Sequence, residues 1–297
     1  MSVLTRYLAG EISGPMTALE LLCETEDVDG ARRCVDDRME GELRHASKER
    51  LASLGSLFTT HLDGCRTIVR MLREGKDSPR RFADPDEGVH FARELFDSSV
   101  TVDQVLAVAM WSLGDREILE RATSEVVAWA RATVPVRPSD AALDLGCGTG
   151  RYVRAFAPYV ARITGLDVSP RMIDVARAEA TENATWVVGS GRTLPFEDAA
   201  FDVVLAIDSF PYVHQGGDDL VRELTREVCR VLAPSGRFSI LNLAYGDDPA
   251  RDAGILASIA NDTGLAVARS GRPSATWSVP GWVLTRPDGA LDRARCR

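Results

Sequence analysis

The spacing of hydrophobic positions along the chain changes at about residue 114. From Met1 to about Leu113, apolar residues recur three and four positions apart, as in amphipathic helices, and no segment alternates as a strand does. Ser13-Gly14-Pro15 supplies a helix cap followed by a proline in the first turn. Apolar residues between Leu51 and Leu72 trace one face of a longer helix. The pattern therefore predicts an all-α module over residues 1–114.

The second part of the chain alternates between short apolar runs and helical stretches, which is typical of a mainly parallel sheet wrapped by helices. Seven strands are predicted, near Ala141–Leu145, Arg162–Asp167, Thr185–Val188, Phe201–Ile207, Phe238–Leu243, Leu265–Arg269 and Gly281–Thr285. The predicted helices are Asp115–Ala132, Arg151–Tyr159, Pro170–Ala180, Asp218–Leu232 and Pro249–Thr263. Pro234-Ser235-Gly236 is interpreted as a turn between a helix and a strand. The predicted fold is a doubly wound α/β domain over residues 115–287, with a mobile tail at residues 288–297.

The composition and net charge of the chain indicate which kinds of molecule it is expected to bind. With 297 residues and 45% hydrophobic content, the chain can form one large or two moderate domains, and we expect two. Its 35 Lys and Arg against 44 Asp and Glu give a net charge of -9, the wrong sign for nucleic acid or an anionic membrane. No run of about 18 apolar residues and no export signal is recognised. We therefore expect a cytoplasmic protein with a small-molecule partner and neither nucleic acid nor membrane.

The cysteines give no indication of an oxidising compartment or of a metal site. Six cysteines are scattered without a C-x-x-C pair, which predicts reduced thiols. His61 and Cys65 stand four residues apart on a predicted helix, a spacing compatible with metal ligation. Because the chain has only four histidines, few candidates exist to complete such a site, and no metal is expected.

The strongest chemical signal is an apolar strand that leads into a glycine-rich turn and then a helix. Glycine occupies every second position, at Gly146, Gly148 and Gly150, so the backbone can approach a ligand closely. The following helix offers N–H groups suited to an anionic group such as a carboxylate. The G-x-G-x-G spacing differs from the dinucleotide and Walker fingerprints, which disfavours NAD and phosphate transfer. An ordinary tight turn is the remaining alternative.

An acidic residue ends the next predicted strand. Asp167 stands nineteen residues beyond Gly148, where a carboxylate can accept hydrogen bonds from two ribose hydroxyls. The alternative, that Asp167 only caps the helix beginning at Pro170, is weakened because Ser169 already occupies the cap position. Asp167 is therefore predicted to bind a ribose.

Together these segments resemble the class I S-adenosylmethionine-dependent methyltransferases, and within them the small-molecule, methyltransferase type 11-like group. The resemblance covers about Asp115–Pro287, and its matching pieces stand in the family's order: LDLGCGTGR at Leu143–Arg151, GLDVSPRMI at Gly165–Ile173, LPFEDAAFDVV at Leu194–Val204 and RVLAPSGRF at Arg230–Phe238. It implies a Rossmann-like methyltransferase fold, S-adenosyl-L-methionine as cofactor and S-adenosyl-L-homocysteine as product. The implied reaction is methylation of oxygen, nitrogen or carbon on a small molecule.

The resemblance also implies which residues bind the cofactor. The glycine turn, including Cys147, would contact the methionine part, Asp144 would orient its ammonium group, and Asp167 would bind the ribose. Val168 and Met172 would pack on the adenine, although Met172 is equally compatible with the helix core. Many relatives carry Gly-Asp-Ala after the third strand, whereas this chain has Gly189-Ser190-Gly191-Arg192. Ser190 therefore stands where those relatives have the aspartate that contacts adenine. The residues expected to contact adenine in this loop are Ser190, Gly191 and Arg192.

The segment after the fourth strand is where the chemistry is expected. Methyl transfer from a sulfonium is an in-line displacement, which mainly needs a nucleophile held at contact distance in a site without water. His214 is the candidate general base, and Tyr212 is a candidate to orient a polar acceptor. Asp208 is expected beside the ammonium group of the cofactor. For His214 and Tyr212, a purely packing or hydrogen-bonding role is the alternative.

Other functions remain open at this point. One alternative is an enzyme of the same fold that uses S-adenosylmethionine for a reaction other than methyl transfer, and another is a cofactor sensor or partner-binding protein. The helical module is expected to close over the strand ends or to form a homodimer contact. Nucleic-acid methylation is disfavoured because Ser209-Phe210-Pro211-Tyr212 stands where an Asn/Asp-Pro-Pro-Tyr segment would be needed.

Overall fold

The computed structural model describes residues 2–74, 81–245, 248–271 and 280–286, with only the backbone described at 268–270. These residues form two compact units. One consists of residues 2–74 and 98–122, and the other of residues 81–97, 123–245, 248–271 and 280–286. The predicted tail at residues 288–297 lies outside the described residues.

The division into units differs from a single boundary after Gly114. Helix α6, Pro85–Val102, contributes its first turns to the second unit and its last turns to the first. Helix α7, Arg116–Thr133, is likewise shared, with the change at Ala122. Residues 81–97 therefore pack with the sheet that follows them in the chain, which the change of hydrophobic spacing does not reveal.

The first unit is helical, as predicted. Its other helices are α1 (Val3–Leu8), α2 (Gly14–Thr25), α3 (Val28–Glu40), α4 (His45–Thr60) and α5 (Leu62–Arg73), followed by a 3₁₀ turn at Met110–Ser112. The Ser13 side chain accepts a hydrogen bond from the Met16 N–H, which confirms the predicted cap of α2. The unit buries its own core, which includes Leu22, Leu54 and Phe58.

The prediction of one long helix from Leu51 to Leu72 is wrong. The chain leaves helical geometry at His61, where φ is -112° and ψ is 37°, so that α4 ends and α5 begins. The break follows Thr59 and Thr60, whose branched side chains disfavour helix. The apolar face continues across the break because Phe58, Cys65 and Ile68 are fully buried.

The second unit contains the sheet. Its strands are β1 (Ala141–Leu145), β2 (Arg162–Asp167), β3 (Ala184–Val188), β4 (Phe201–Ile207), β5 (Leu232–Leu241), β6 (Ala266–Gly271) and β7 (Gly281–Thr285), in the order β3-β2-β1-β4-β5-β7-β6. Only β7 runs antiparallel to its neighbours β5 and β6. The remaining helices are α8 (Arg151–Phe156) with a 3₁₀ turn at Ala157–Tyr159, α9 (Pro170–Ala178), α10 (Phe210–Gln215), α11 (Asp218–Val231) and α12 (Pro249–Thr263). The predicted seven-stranded, mostly parallel α/β fold is confirmed.

Strand β5 contains an irregularity where a turn was predicted. Leu232 pairs with Phe201, and the next pair of the ladder is Arg237 with Val203, so the chain bulges between them. Ser235 adopts a left-handed conformation with φ +59° within this bulge. The prediction that Pro234-Ser235-Gly236 separates a helix from a strand is therefore wrong, because the strand already begins at Leu232.

The strand order reverses between β1 and β4, and this reversal locates the ligand crevice. Strand β1 pairs with β2 on one side and with β4 on the other. All five residues of β1 are buried. In open α/β sheets the crevice opens at the carboxyl ends of the strands, where the order reverses. The loops after β1, β2 and β4 therefore border the expected crevice.

The cysteines only partly follow the prediction of reduced thiols. Cys34, Cys65 and Cys147 carry free thiols, but Cys229 is disulfide-bonded, which corrects the prediction for that residue. A disulfide depends on the distance between two residues in the fold, which the spacing of cysteines along the chain does not determine.

Among the described residues no group of three or more potential ligands could hold a metal ion. None of the helices in this part of the chain combines the length and apolar character needed to cross a bilayer.

Candidate functional site

The glycine turn after β1 is built from left-handed backbone conformations. Gly146, Gly148 and Gly150 have φ values of +72°, +54° and +84°, which side chains disfavour. The N–H groups of Gly146 and Cys147 both donate to the Leu166 carbonyl at the end of β2, at 2.7 and 3.0 Å. These bonds hold the turn against β2, so that the carboxyl ends of the two strands form one edge.

Two of these glycines are also required by neighbouring side chains. A Cβ atom at Gly146 would overlap the Ser209 side chain, and one at Gly150 would overlap the indole ring of Trp186. The sequence interpretation, that glycines admit a ligand, is therefore incomplete. At these two positions the missing Cβ also makes room for the protein itself.

Asp144 lies at the carboxyl end of β1 with a carboxylate oxygen unsatisfied. Its side chain is 1% exposed, and among the described residues its Oδ2 has no hydrogen-bond partner. Burial raises the pKa of Asp144 to about 7, with the Arg151 guanidinium acting in the opposite direction and the Asp167 carboxylate adding to the rise. A buried polar atom without a partner is uncommon and calls for an explanation. A cationic N–H donor would supply one.

A second unsatisfied group lies nearby. The Tyr152 hydroxyl, on the first turn of α8, is buried and has no hydrogen-bond partner among the described residues. Burial raises its pKa above the usual range, and the carboxylates of Asp208 and Asp144 act in the same direction. Sequence reasoning did not select Tyr152, although its place two residues after the glycine turn was a usable signal. The end of the crevice beside β1 therefore holds polar atoms that no described protein group satisfies.

Asp167 ends β2 and is held by two backbone N–H groups. Gly148 donates to Oδ2 at 2.8 Å and Ser169 donates to Oδ1 at 2.9 Å. Each carboxylate oxygen keeps a further lone pair, because an ionised carboxylate has about four acceptor sites. Burial raises the pKa of Asp167 to about 6 even though both hydrogen bonds act to lower it.

The predicted adenine contacts have different surroundings. The Met172 side chain is fully buried in α9, whereas Val168 is half-buried and Ser190 is exposed. Gly191 has φ +80°, and a Cβ there would lie 2.8 Å from Leu224. The burial of Met172 fits the helix-core alternative, and Val168 and Ser190 are the more accessible of the three side chains.

Arg192 is engaged by two carboxylates of the protein. Its Nε donates to Glu223 at 2.6 Å and its Nη2 donates to the other oxygen at 3.1 Å, while Nη1 donates to Asp86. Asp86 belongs to the first turn of α6. The charge of Arg192 is thus balanced within the unit, and the arginine joins three segments that are far apart in the chain.

The segment after β4 begins with two residues that contact neighbouring strand ends. Asp208 has φ +61° and accepts a hydrogen bond from Asn242 Nδ2 at 2.7 Å. Asn242 follows β5 and is itself left-handed, with φ +65°. The Ser209 hydroxyl donates to the Leu145 carbonyl at 2.6 Å, which ties the segment to the end of β1. Left-handed non-glycine residues at strand ends are typical of functional loops.

Tyr212 and His214 both lie on the short helix α10 but face different neighbours. The Tyr212 ring makes edge contacts with Phe96 of α6 and with Tyr245, at centroid distances of 4.8 and 5.8 Å. His214 is half-buried and lines a small cavity with residues of α11 and α12, including Asp218 and Asp262. Burial lowers its pKa, and nearby Arg81 and Arg251 lower it further. The sequence analysis assigned both side chains to one reactive segment. In the structure Tyr212 packs against aromatic rings, whereas His214 lines a cavity beside α11 and α12.

The chain is similar to known methyltransferases in sequence. Residues 143–240 match the model of a methyltransferase domain family. The uncharacterized methyltransferase YcgJ of Bacillus subtilis is 35% identical over 124 residues, 40% of this chain and 47% of that protein. Its crystal structure aligns with a TM-score of 0.45 and 20% identity, covering 55% of this chain and 99% of that one.

A second relative has a named acceptor. The demethylmenaquinone methyltransferase of Symbiobacterium thermophilum is 30% identical over 169 residues, 53% of this chain and 61% of that protein. The chain spans about half the length of the first curated relatives that it matches. The match lies in the segment that carries β1 to β5, with its glycine turn and the acidic residue that ends β2. The stretch of residues 143–240 thus carries a methyltransferase domain, and over this segment the chain is similar to class I S-adenosylmethionine-dependent methyltransferases.

Proposed function

We propose that this chain binds S-adenosyl-L-methionine and transfers its methyl group to a small-molecule acceptor. The observation that carries the proposal is the buried Asp144 carboxyl, whose Oδ2 has no partner among the described residues. The methionine part of the cofactor ends in an ammonium group, which donates hydrogen bonds and carries the opposite charge. Such a donor would satisfy Oδ2 and offset the cost of ionising a buried carboxyl.

The remaining cofactor contacts follow from the same edge of the sheet. The Gly146–Gly150 turn would lie along the methionine part, and Asp167 would accept the ribose hydroxyls with the lone pairs that its two backbone bonds leave available. Val168, Met172, Ser190, Gly191 and Arg192 form the proposed adenine side. The charge of Asp208 acts on the Tyr152 hydroxyl and raises its pKa, so the two side chains lie in the same region. Asp208 is proposed to lie near the ammonium group of the cofactor.

When bound, the cofactor supplies an electrophilic methyl group on a sulfonium sulfur. The protein's part is to hold the acceptor in line and to keep water out. We propose Tyr212 as a wall of the acceptor site and His214 as the base that removes a proton from an oxygen or nitrogen acceptor. The lowered pKa of His214 supports this, because a base must be unprotonated at working pH.

The acceptor is proposed to be a small molecule with a flat or apolar surface. Phe96, Tyr212 and Tyr245 form a row of aromatic rings beside the end of β4, and aromatic faces favour planar groups. A relative is a demethylmenaquinone methyltransferase, and the net charge of -9 disfavours a nucleic acid.

Calorimetry with S-adenosylmethionine and S-adenosylhomocysteine tests the cofactor. We expect Asp144→Asn and Asp167→Asn to weaken binding by about 10-fold or more, because hydrogen bonds to charged groups contribute about 1.5–3 kcal/mol. Asp174→Asn is the matched control, since it removes an exposed carboxylate of α9 at 74% exposure. Wild-type protein that binds neither compound would contradict the proposal.

Turnover is tested separately from binding. Incubation with methyl-labelled cofactor and fractionated metabolites should yield a product that gains one methyl group, together with S-adenosylhomocysteine. Tight cofactor binding without any turnover across diverse pools would indicate a sensor. Consumption of acceptor without methyl gain would indicate another reaction on the same fold.

A further inference from the structure

Helix α6 belongs to the edge of the sheet where the cofactor crevice lies, although it precedes β1 by about forty residues in the chain. Within the second unit, its residues contact the loops that follow three strands. Asp97 contacts the loop after β2, Asp86 contacts the loop after β3 through Arg192, and Phe96 contacts the helix after β4. The segment of residues 81–97 thus spans the strand ends that the glycine turn also borders.

The Asp97 carboxylate occupies the start of α9. The Ser169 hydroxyl donates to Asp97 Oδ1 at 2.5 Å, and the Arg171 N–H points to the same oxygen at 3.3 Å. Ser169 is fully buried and is the cap of α9, where its Oγ accepts from the Met172 N–H at 3.0 Å. The Ser169 hydroxyl therefore acts as donor to one partner and acceptor from another, which fixes its rotamer.

Ser169 also links Asp97 to the acidic residue of β2. The Ser169 N–H donates to Asp167 Oδ1 at 2.9 Å, and the Gly148 N–H donates to Asp167 Oδ2 at 2.8 Å. A continuous set of hydrogen bonds therefore runs from α6 through the turn after β2 to the glycine turn after β1. Its members are Asp97, Ser169, Asp167 and Gly148.

We propose that Asp97 is a positioning residue of the cofactor site, which holds the Ser169 turn so that the Asp167 carboxylate is oriented toward the ribose. The inference rests on the proposed function, since it assigns Asp167 to the ribose hydroxyls. Asp97 acts through Ser169 and touches no cofactor atom. Its contribution arises because a carboxylate held by two directed N–H bonds needs no reorientation when the ligand arrives.

The charge of Asp97 provides a readout that a purely structural cap would lack. After burial, which is the largest cause, Asp97 is the charged side chain that raises the pKa of Asp167. The other titratable or charged groups around Asp167 are Asp144 on β1, Cys147 and Arg154 beside the glycine turn, and Arg171 on α9. Removing the charge of Asp97 should therefore lower the pKa of Asp167 and shift the acid limb of cofactor binding to lower pH.

The experiment measures the dissociation constant of S-adenosylhomocysteine from pH 5 to 8.5 in the full chain. Asp97→Asn keeps an oxygen that accepts from Ser169 and removes the charge, so we expect affinity within about threefold of wild type at pH 8 and an acid midpoint at lower pH. Asp97→Ala removes the acceptor, and we expect the dissociation constant to rise about 10-fold at pH 8. Glu94→Gln is the control, because it removes the same charge from the same helix at an exposed position.

The outcomes separate the inference from the proposed function. Wild-type protein that binds neither S-adenosylhomocysteine nor S-adenosylmethionine overturns both. Wild-type binding with an Asp97→Ala dissociation constant within twofold of wild type overturns the inference alone. The inference is also overturned if the acid midpoint of Asp97→Asn coincides with that of Glu94→Gln. If Asp97→Ala fails to fold in a urea titration, Asp97→Asn still decides.

Discussion

Two buried carboxyl groups dominate the electrostatics of the crevice at the scale of single residues. Asp144 and Asp167 end neighbouring strands, and burial raises the pKa of each, to about 7 and about 6. The Asp167 carboxylate adds to the rise of the Asp144 pKa, because like charges in a region of low dielectric repel. A cation beside them, such as a sulfonium or an ammonium group, would favour the ionised forms. The pair is thus suited to a cationic ligand rather than to an anionic one.

His214 is the proposed general base of the methyl transfer. If His214 is the base, kcat at saturating cofactor and acceptor should fall as pH drops through its pKa, which burial holds below the ordinary value of 6.5. We expect His214→Gln to lower kcat by about 10²-fold or more and to remove this acid limb, since general-base catalysis contributes typically 10²–10⁴-fold.

The control for His214 lies on the same short helix. Tyr212→Phe removes only a hydroxyl and keeps the ring that contacts Phe96 and Tyr245, so the acid limb should persist in that variant. A His214→Gln enzyme with wild-type kcat across the pH range would assign His214 to the cavity that it shares with α11 and α12.

At the scale of elements, the contact between α6 and α10 depends on a pair of glycines. Gly88 lies inside α6, where glycine costs about 1 kcal/mol relative to alanine. A Cβ at Gly88 would lie 2.6 Å from the Gly216 Cα, at the end of α10. The neighbouring atom belongs to the backbone, which cannot rotate away as a side chain can. Glycine at this position therefore allows the two helices to approach, at the expense of helix propensity.

Gly88→Ala tests this element contact against Gly254→Ala. Gly254 also lies inside a helix, α12, and a Cβ there would meet no described atom within 4 Å. We expect Gly254→Ala to raise the free energy of unfolding by about 0.5–1 kcal/mol through helix propensity. We expect Gly88→Ala to lower it by about 1–3 kcal/mol, because overpacking outweighs the same gain.

The two glycine variants are compared by urea titration. Opposite signs for the two changes would support the close approach of α6 and α10. Equal increases in the free energy of unfolding would show that Gly88 contributes only its helix propensity, and the described contact with Gly216 would then be without energetic consequence.

For the whole molecule, the two buried carboxyl groups link stability to pH and to ligand. Their folded pKa values exceed the unfolded value of about 3.9, so the native state binds more protons between about pH 4 and pH 7. The contribution of these groups to stability therefore decreases as pH rises through that window. A cationic ligand favours the ionised carboxyls and offsets this loss.

The increase in Tm caused by S-adenosylmethionine should therefore be larger at pH 8 than at pH 5. Thermal unfolding with and without ligand measures this difference at each pH. His214 contributes in the opposite sense, because burial lowers its pKa, but that contribution is common to both samples and cancels in the difference. An Asp144→Asn, Asp167→Asn double variant should lose most of the pH dependence. A ligand shift that is equal at pH 5 and pH 8 in wild type would contradict the argument.

Much of the sheet unit was predictable because its signals are local. Strands β1, β2, β4 and β7 have the predicted bounds, and α12 begins and ends as predicted. The glycine turn and the Ser169 cap were also visible, since φ preferences and side-chain caps act within a few residues. Hydrophobic periodicity is a property of short segments, so the helices and strands that it predicts are found in the structure.

The missed features share a different cause. Each depends on tertiary contacts of the segment rather than on its local sequence. They are the break at His61, the bulge at Ser235 and the disulfide of Cys229. The predicted partners of Arg192 were a ligand's atoms, whereas the fold gives it Glu223 and Asp86. No spacing along the chain indicates these partners, because carboxylates are frequent in this sequence.

The amino-acid sequence alone indicated the class of fold, the order of strands along the chain, the glycine turn and the acidic residue that ends β2. These features are encoded in short segments, where backbone preference and side-chain periodicity act directly. Tertiary packing was needed to show that the first turns of α6 join the sheet unit and that Asp97 reaches Ser169, 72 residues away in the chain. Contacts over such separations follow from the packing of whole elements, and single residues carry no signal that specifies their distant partners.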